Sequence, residues 1–224
     1  MVSKYNGTVS EKNSKNTSFS LVVMVLLVAL VSAVGGYSFW NLSQIRQQQA
    51  NAALIVLPEP RVIADFALID QNEQPFSLDN LRGRWSLLFF GFTHCPDVCP
   101  STLFDLQMVH NRLGQDLGSK AEPHQVLFIS VDPERDTPEK LKQYVQYFHP
   151  DFIAVTGPDK QLAPLTRQLG IAYRVEAHED GNPRYGVDHS ASILVINPEG
   201  RLYGVFPAPH DAEKLATDLA GILD

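Results

Sequence analysis

Apolar and polar positions along this chain follow two rhythms that alternate from Val62 to the C-terminus. Val62 to Ile69 alternates as a half-buried strand does, and Gln71-Asn72-Glu73-Gln74 reads as the turn that follows it. Trp85 to Phe92 is a continuous apolar run, the pattern of a strand covered on both faces. The period then changes: Leu103, Leu106, Val109, His110 and Leu113 fall on one helical stripe, predicting a helix from about Cys99 to Leu117 with Gly118 as its stop. Gln125 to Val131 is a second buried strand. Thr137 as N-cap and Pro138 at the first helical position then open a helix reaching about Phe148. Phe152 to Val155 and Ala163 to Leu169 repeat strand then helix, and Ile171 to Val175 and Arg184 to Val187 flank a hairpin turn at Gly181-Asn182. Ser192 to Ile196 and Leu202 to Phe206 pair around Asn197-Pro198-Glu199-Gly200, and Asp211 caps a closing amphipathic helix to Leu223. Strands alternating with helices, then an antiparallel pair, imply an α/β domain with a mixed sheet and helices on both faces.

The N-terminal part obeys neither rhythm. Residues Phe19 to Trp40 carry no charge over a length suited to a hydrocarbon core. Lys4, Lys12 and Lys15 precede that stretch and no positive charge follows until Arg46, so 1–18 is expected in the cytoplasm and everything after the span on the far side. Val31-Ser32-Ala33 also has the look of a cleavage site, but the polar segment ahead of the apolar run is long for a signal peptide, which favours a retained anchor. Residues 41–60, polar, Gln-rich and closing on Leu57-Pro58-Glu59-Pro60, read as a tether, which leaves 61–224 as one exported domain. In a bacterium this means the inner membrane with the domain in the periplasm, or otherwise the equivalent intermembrane compartment. The formal net charge of −7 and the lack of basic clusters argue against a nucleic-acid partner.

The only two cysteines stand as Cys95-Pro96-Asp97-Val98-Cys99, at the exit of the apolar strand Trp85 to Phe92. Two thiols there either exchange electrons as a dithiol and disulfide or grip a soft metal. With a helix starting near Cys95, residues four apart share a face, and the free N–H groups of a helix start favour thiolate. The dedicated redox motif has two intervening residues rather than three, and a plain stapling disulfide closing so short a loop removes little unfolded-state entropy. The order of elements is that of a thioredoxin-like domain with an N-terminal strand extension and an inserted β-hairpin. In that topology the loop entering the strand Ser192 to Ile196 faces the cysteine loop, and His189 lies in it, where a typical thioredoxin carries a cis-proline. Of the other histidines, His110 reads as a packing residue and His94 as a neighbour that tunes Cys95. His124, His149, His178 and His210 read as surface or end-of-element residues. Two thiolates and one imidazole suit copper better than a closed zinc site. Asp97 and Asp132 are candidates to orient the ligands, although a surface or capping role is the commoner fate of each.

Three segments in order carry a resemblance: Phe89 to Pro100 around the cysteines, Ile129-Ser130-Val131-Asp132-Pro133-Glu134-Arg135-Asp136-Thr137-Pro138, and Val187-Asp188-His189-Ser190. Over nearly all of 61–224, and in its single N-terminal anchor, the chain resembles the SCO/SenC family of copper chaperones for cytochrome c oxidase. The resemblance implies a copper ion, Cu(I), Cu(II) or both, held by Cys95, Cys99 and His189 and delivered to the binuclear copper site of oxidase subunit II. It also implies a redox disulfide between Cys95 and Cys99 that cannot hold metal, and hence a copper donor and a thiol reductant as further partners. On this reading no residue is catalytic. Three other readings stay open: a membrane-tethered thiol–disulfide oxidoreductase acting on the oxidase subunit or another exported protein, a peroxide-reducing enzyme, and a copper-responsive sensor.

Overall fold

The computed structural model describes residues 54–224 apart from 117, 119–122, 180, 183 and 224, together with 23, 24, 26, 27, 30–38 and 40. The chain divides into two compact units, residues 1–48 and 49–224. In the first, the described residues are helical, but much of the expected 19–40 span, the tail 1–18 and residues 41–53 lie outside the described residues. Among the described residues no helix is long and apolar enough to cross a membrane.

The second unit is built on an eight-stranded mixed sheet. Its strands, in chain order, include β1 (Ile55–Val62), β2 (Ala67–Asp70), β3 (Pro75–Ser77), β4 (Trp85–Gly91), β5 (His124–Ser130) and β6 (Ile153–Thr156). After β7 (Tyr173–Val175) and β8 (Val187–His189), which form a separate two-stranded ribbon, come β9 (Ile193–Ile196) and β10 (Arg201–Phe206). The large sheet runs β1-β10-β9-β4-β5-β6-β2-β3. The pairs β4–β5 and β5–β6 are parallel and central, and the other pairs are antiparallel. Four helices flank it: α1 (Val98–Asp116), α2 (Pro138–Phe148), α3 (Asp159–Leu169) and α4 (Ala212–Leu223). Leu87 to Phe90 and Val126 to Ile129 are wholly buried, as their uninterrupted apolar runs require of central parallel strands. The stripe Cys99, Leu103, Leu106, Val109 and Leu113 fixes the buried face of α1. Thr137 caps α2 by accepting from the Lys140 N–H at 3.3 Å, with Pro138 at the first position, and Asp211 does the same for α4 from the Lys214 N–H at 3.0 Å.

Three expectations change. The tether does not extend to Pro60: Ile55–Val62 is an edge strand paired with β10, its register shifting between Val56 and Arg61 where the two prolines fall. An edge strand tolerates proline because one side needs no ladder donors. The expected strand Val62 to Ile69 is instead the end of β1 and, after a break at 63–66, β2 at Ala67–Asp70. His189 is the last residue of β8, paired in register with Tyr173, rather than a loop residue.

At the end of the sheet where β5 begins, His110, His124 and His149 come together. The His110 ring lies 5.0 Å from that of His124 and 4.4 Å from that of His149. Burial first, then the two neighbouring imidazoles, push His110 down to about 4 against the pull of Asp151.

Candidate metal centre

The cysteine loop leaves β4 at Gly91, a residue with no side chain because there is no room for one. A Cβ there would stand 2.6 Å from the Cys99 Sγ and 2.8 Å from the Phe128 ring. Helix α1 begins at Val98, within a residue of the expected Cys99 and not near Cys95, so Cys99 is inside its first turn and wholly buried, whereas Cys95 lies ahead of it in the loop and is half-buried. Both cysteines are free thiols.

His189 reaches the pair from β8. Its Nδ1 lies 3.0 Å from the Ser190 carbonyl, so that nitrogen carries the proton and donates, and the Nε2 lone pair faces the Cys99 Sγ at 3.3 Å. The ring is wedged edge-on between Phe89 and Phe92, with centroids 6.1 and 5.7 Å away. The ribbon is tied down by the Ser190 N–H donating to the Ala172 carbonyl at 2.8 Å and the Ala172 N–H donating to the Ser190 Oγ at 3.0 Å. Burial pushes the imidazole below its ordinary value, against the pull of the Ser190 carbonyl and the Asp188 carboxylate, so it is a neutral donor. The two sulfurs and the imidazole nitrogen all lie within 4.8 Å of one another.

The expectation that a helix start would favour thiolate does not hold for Cys99. Burial drives its thiol well up; the Phe92 backbone hydrogen bond pulls it back only in part, and Cys95 and Asp136 add to the rise. In the metal-free protein Cys99 therefore keeps its proton and shares it with His189; a cation must displace it to bind.

The segment after β5 holds the loop from behind. Asp136, wholly buried, accepts from the Thr93 N–H at 2.9 Å, the Thr93 hydroxyl at 2.5 Å and the Ser130 hydroxyl at 2.6 Å. Asp132, also buried, accepts from the Arg135 Nε at 2.5 Å and the Tyr185 hydroxyl at 2.6 Å. The Arg135 guanidinium stacks on Tyr185 at 3.6 Å and reaches over Phe92 at 5.6 Å, while His178 covers the far face of the group by stacking on Tyr185 at 3.7 Å. Phe92 thus lies against both His189 and the Arg135 of the Asp132–Arg135–Tyr185 group.

Asp132 therefore acts on the site through Arg135 and Phe92. Asp97 is exposed, and its main-chain carbonyl accepts from the Ser101 N–H and hydroxyl, which winds the first turn of α1. His94 is exposed and lies 3.2 Å from the Thr93 hydroxyl. Asp136, which sequence reasoning passed over, does more for the loop than either aspartate it singled out.

Residues 57–224 match the SCO1/SenC family model. A protein of Stutzerimonas stutzeri named for copper binding is 41% identical over 176 residues, covering 79% of this chain and 83% of the relative. The chain belongs to the SCO1/SenC family. The mouse mitochondrial SCO2 homolog is 36% identical over 203 residues, which span 87% of this chain and 76% of that one. In three dimensions the chain is similar to the crystal structure of Arabidopsis thaliana ScoI with copper bound. The TM-score is 0.65 at 33% identity, over 71% of this chain and 96% of that one. The thioredoxin-like mixed sheet with flanking helices is thus the fold of the SCO1/SenC family, and the Arabidopsis structure of that fold holds copper.

Proposed function

We propose that this protein is a membrane-tethered copper chaperone that binds one copper ion through Cys95, Cys99 and His189 and passes it to the binuclear copper site of cytochrome c oxidase subunit II. The observation that carries the reading is the convergence of two sulfurs and a neutral imidazole nitrogen within 4.8 Å, with Cys99 Sγ and His189 Nε2 already 3.3 Å apart. Two soft sulfurs and one imidazole are a donor set copper accepts readily, and three protein ligands leave the ion open to a ligand from a partner. The uncharged stretch Phe19 to Trp40 would anchor the chain, with residues 54–224 exported to the periplasm or its equivalent. Oxidation of the two thiols to a disulfide gives up two electrons and two protons and removes both sulfur donors. Loading then depends on a reductant and a copper donor on that side of the membrane.

The half-exposed Cys95 beside the buried Cys99 also fits a thiol–disulfide oxidoreductase, in which the accessible sulfur attacks and the buried one resolves. The two functions separate at His189. The test is copper stoichiometry and absorption on the reduced full-length chain in detergent, beside His189→Ala; a truncation at Arg61 would cut through β1. One copper per chain, with a sulfur-to-copper charge-transfer band lost or strongly altered in the variant, supports the chaperone. Absence of stable copper, with a disulfide that cycles equally well without His189, overturns it in favour of the oxidoreductase.

A further inference from the structure

A second set of metal-ligating side chains lies away from the cysteines. His110 is eleven residues beyond Cys99 on α1, about 17 Å along the helix axis at 1.5 Å per residue. His149 is the C-cap of α2, and Asp151 follows it in the turn toward β6. The His110 Nε2 is 4.0 Å from an Asp151 carboxylate oxygen, the His149 Nδ1 is 3.9 Å from the same oxygen, and the three ligand atoms all lie within 4.8 Å.

The nitrogens are set for the task. The Asp151 N–H donates to the His149 Nδ1 at 3.2 Å, so this nitrogen is the one without a proton, and its lone pair points toward Asp151. The His110 Nδ1 is buried with no hydrogen-bond partner among the described residues, while Nε2 faces the carboxylate. Both rings are largely enclosed, 20% and 17% exposed, and Phe152 packs against each. The Asp151 side chain is 74% exposed. The cluster is therefore open to solvent on one side, with its least constrained arm there.

We infer that His110, His149 and Asp151 form a second metal site, for a borderline divalent cation such as Zn(II). Two imidazoles and a carboxylate with an open fourth position suit zinc, and also Cu(II) or Ni(II), whereas calcium and magnesium call for oxygen ligands. Ligand bonds of about 2.0–2.1 Å in a tetrahedron put donor atoms about 3.4 Å apart. The 3.9 and 4.0 Å separations close to that with a small swing of the exposed Asp151 side chain. Binding replaces the Asp151 N–H contact to His149 with the metal bond. The residues are distinct from Cys95, Cys99 and His189, so the inference stands or falls apart from the chaperone reading.

The test uses the full-length chain in detergent carrying Cys95→Ser, Cys99→Ser and His189→Ala, titrated with Zn(II) against a chelator of known affinity. One Zn(II) per chain is expected, with affinity falling at least tenfold when either His149→Asn or Asp151→Asn is added. Co(II) read through its d–d absorption should lose its four-coordinate bands in the same two variants. Because the Asp151 side chain is exposed, Asp151→Asn keeps its fold, checked by circular dichroism, even if a substitution at the enclosed His110 does not. Stoichiometric Zn(II) whose affinity is indifferent to both substitutions, or no stoichiometric Zn(II), overturns the inference.

Discussion

Replacing Asp136 tests whether the cysteine loop is held in its binding form before metal arrives. Its carboxylate is wholly buried and accepts three hydrogen bonds, two of them from Thr93, two residues ahead of Cys95. In Asp136→Asn the side-chain oxygen can still accept from the Thr93 N–H and the Ser130 hydroxyl. The new amide N–H group can donate to the Thr93 hydroxyl, which turns to accept. What is lost is charge assistance, so the cost should be about 1–2 kcal/mol. Asp136→Ala orphans the Thr93 N–H, which cannot turn away as hydroxyls can, and leaves a small cavity. Its cost should be about 4 kcal/mol. Urea unfolding of the reduced, metal-free full-length chain, followed by circular dichroism, reads both. If the proposed copper site is right, the weakened hold on Thr93 means that the backbone of this one residue must be ordered again on binding, at roughly 1–2 kcal/mol. The Asn variant should therefore bind copper about five- to thirtyfold more weakly in a chelator competition. An Asn variant as stable and as tight as the parent would refute the reasoning, and so would lost stability with unchanged affinity, which would make Asp136 a fold residue only.

Gly91→Ala places a Cβ 2.6 Å from the Cys99 Sγ; overpacking should cost about 1–3 kcal/mol, and displacement of the sulfur should shift the copper charge-transfer band. Tyr185→Phe removes the donor 2.6 Å from the buried Asp132 and should cost about 1–3 kcal/mol in the same urea assay, with a smaller loss of copper affinity because it reaches His189 only through Arg135 and Phe92. His110 makes stability pH-dependent. Facing His124, His149 and Asp151, it takes a proton only near about 4 when folded but near 6.5 when unfolded, so its contribution is complete above about 6.5 and is lost as pH falls toward 4. That amounts to about 2 kcal/mol gone by pH 5; with chelator present, His110→Gln should flatten this part of the unfolding profile, and an unchanged profile would contradict it.

The cysteines were legible because their surroundings are local: an apolar run too continuous for a surface strand, then two sulfurs four residues apart. His189 was legible through topology, since the element before β9 must return beside the end of β4, with which β9 pairs. Asp136 was not. Asp132, Glu134 and Asp136 stand within five residues, and nothing local says which carboxylate meets the cysteine loop. That is decided by Thr93, 43 residues away. The edge strand Ile55–Val62 was hidden by Pro58 and Pro60, which mark a linker unless the strand has a free side. The histidine cluster escaped for the same reason as Asp136: His110, His124 and His149 belong to three separate elements, and each by itself reads as a packing or surface residue.

The candidate centre has one fixed arm and one releasable arm. Cys99 is wholly buried, backed by the strand at Gly91 and paired with a His189 that its own ribbon and two phenylalanines hold in place. Cys95 is half-exposed, on a loop held chiefly through Thr93 and Asp136. If copper is passed on by ligand exchange, Cys95 is the ligand a partner can displace first, because releasing it costs only loop order, whereas releasing Cys99 uncovers a buried sulfur whose proton must return. The two cysteines should therefore not be equivalent. Cys95→Ser should keep a weaker copper complex bound through Cys99 and His189, whereas Cys99→Ser should lose most of the affinity. Equal losses in the two variants would show that both sulfurs hold the ion alike and that the site has no preferred order of release.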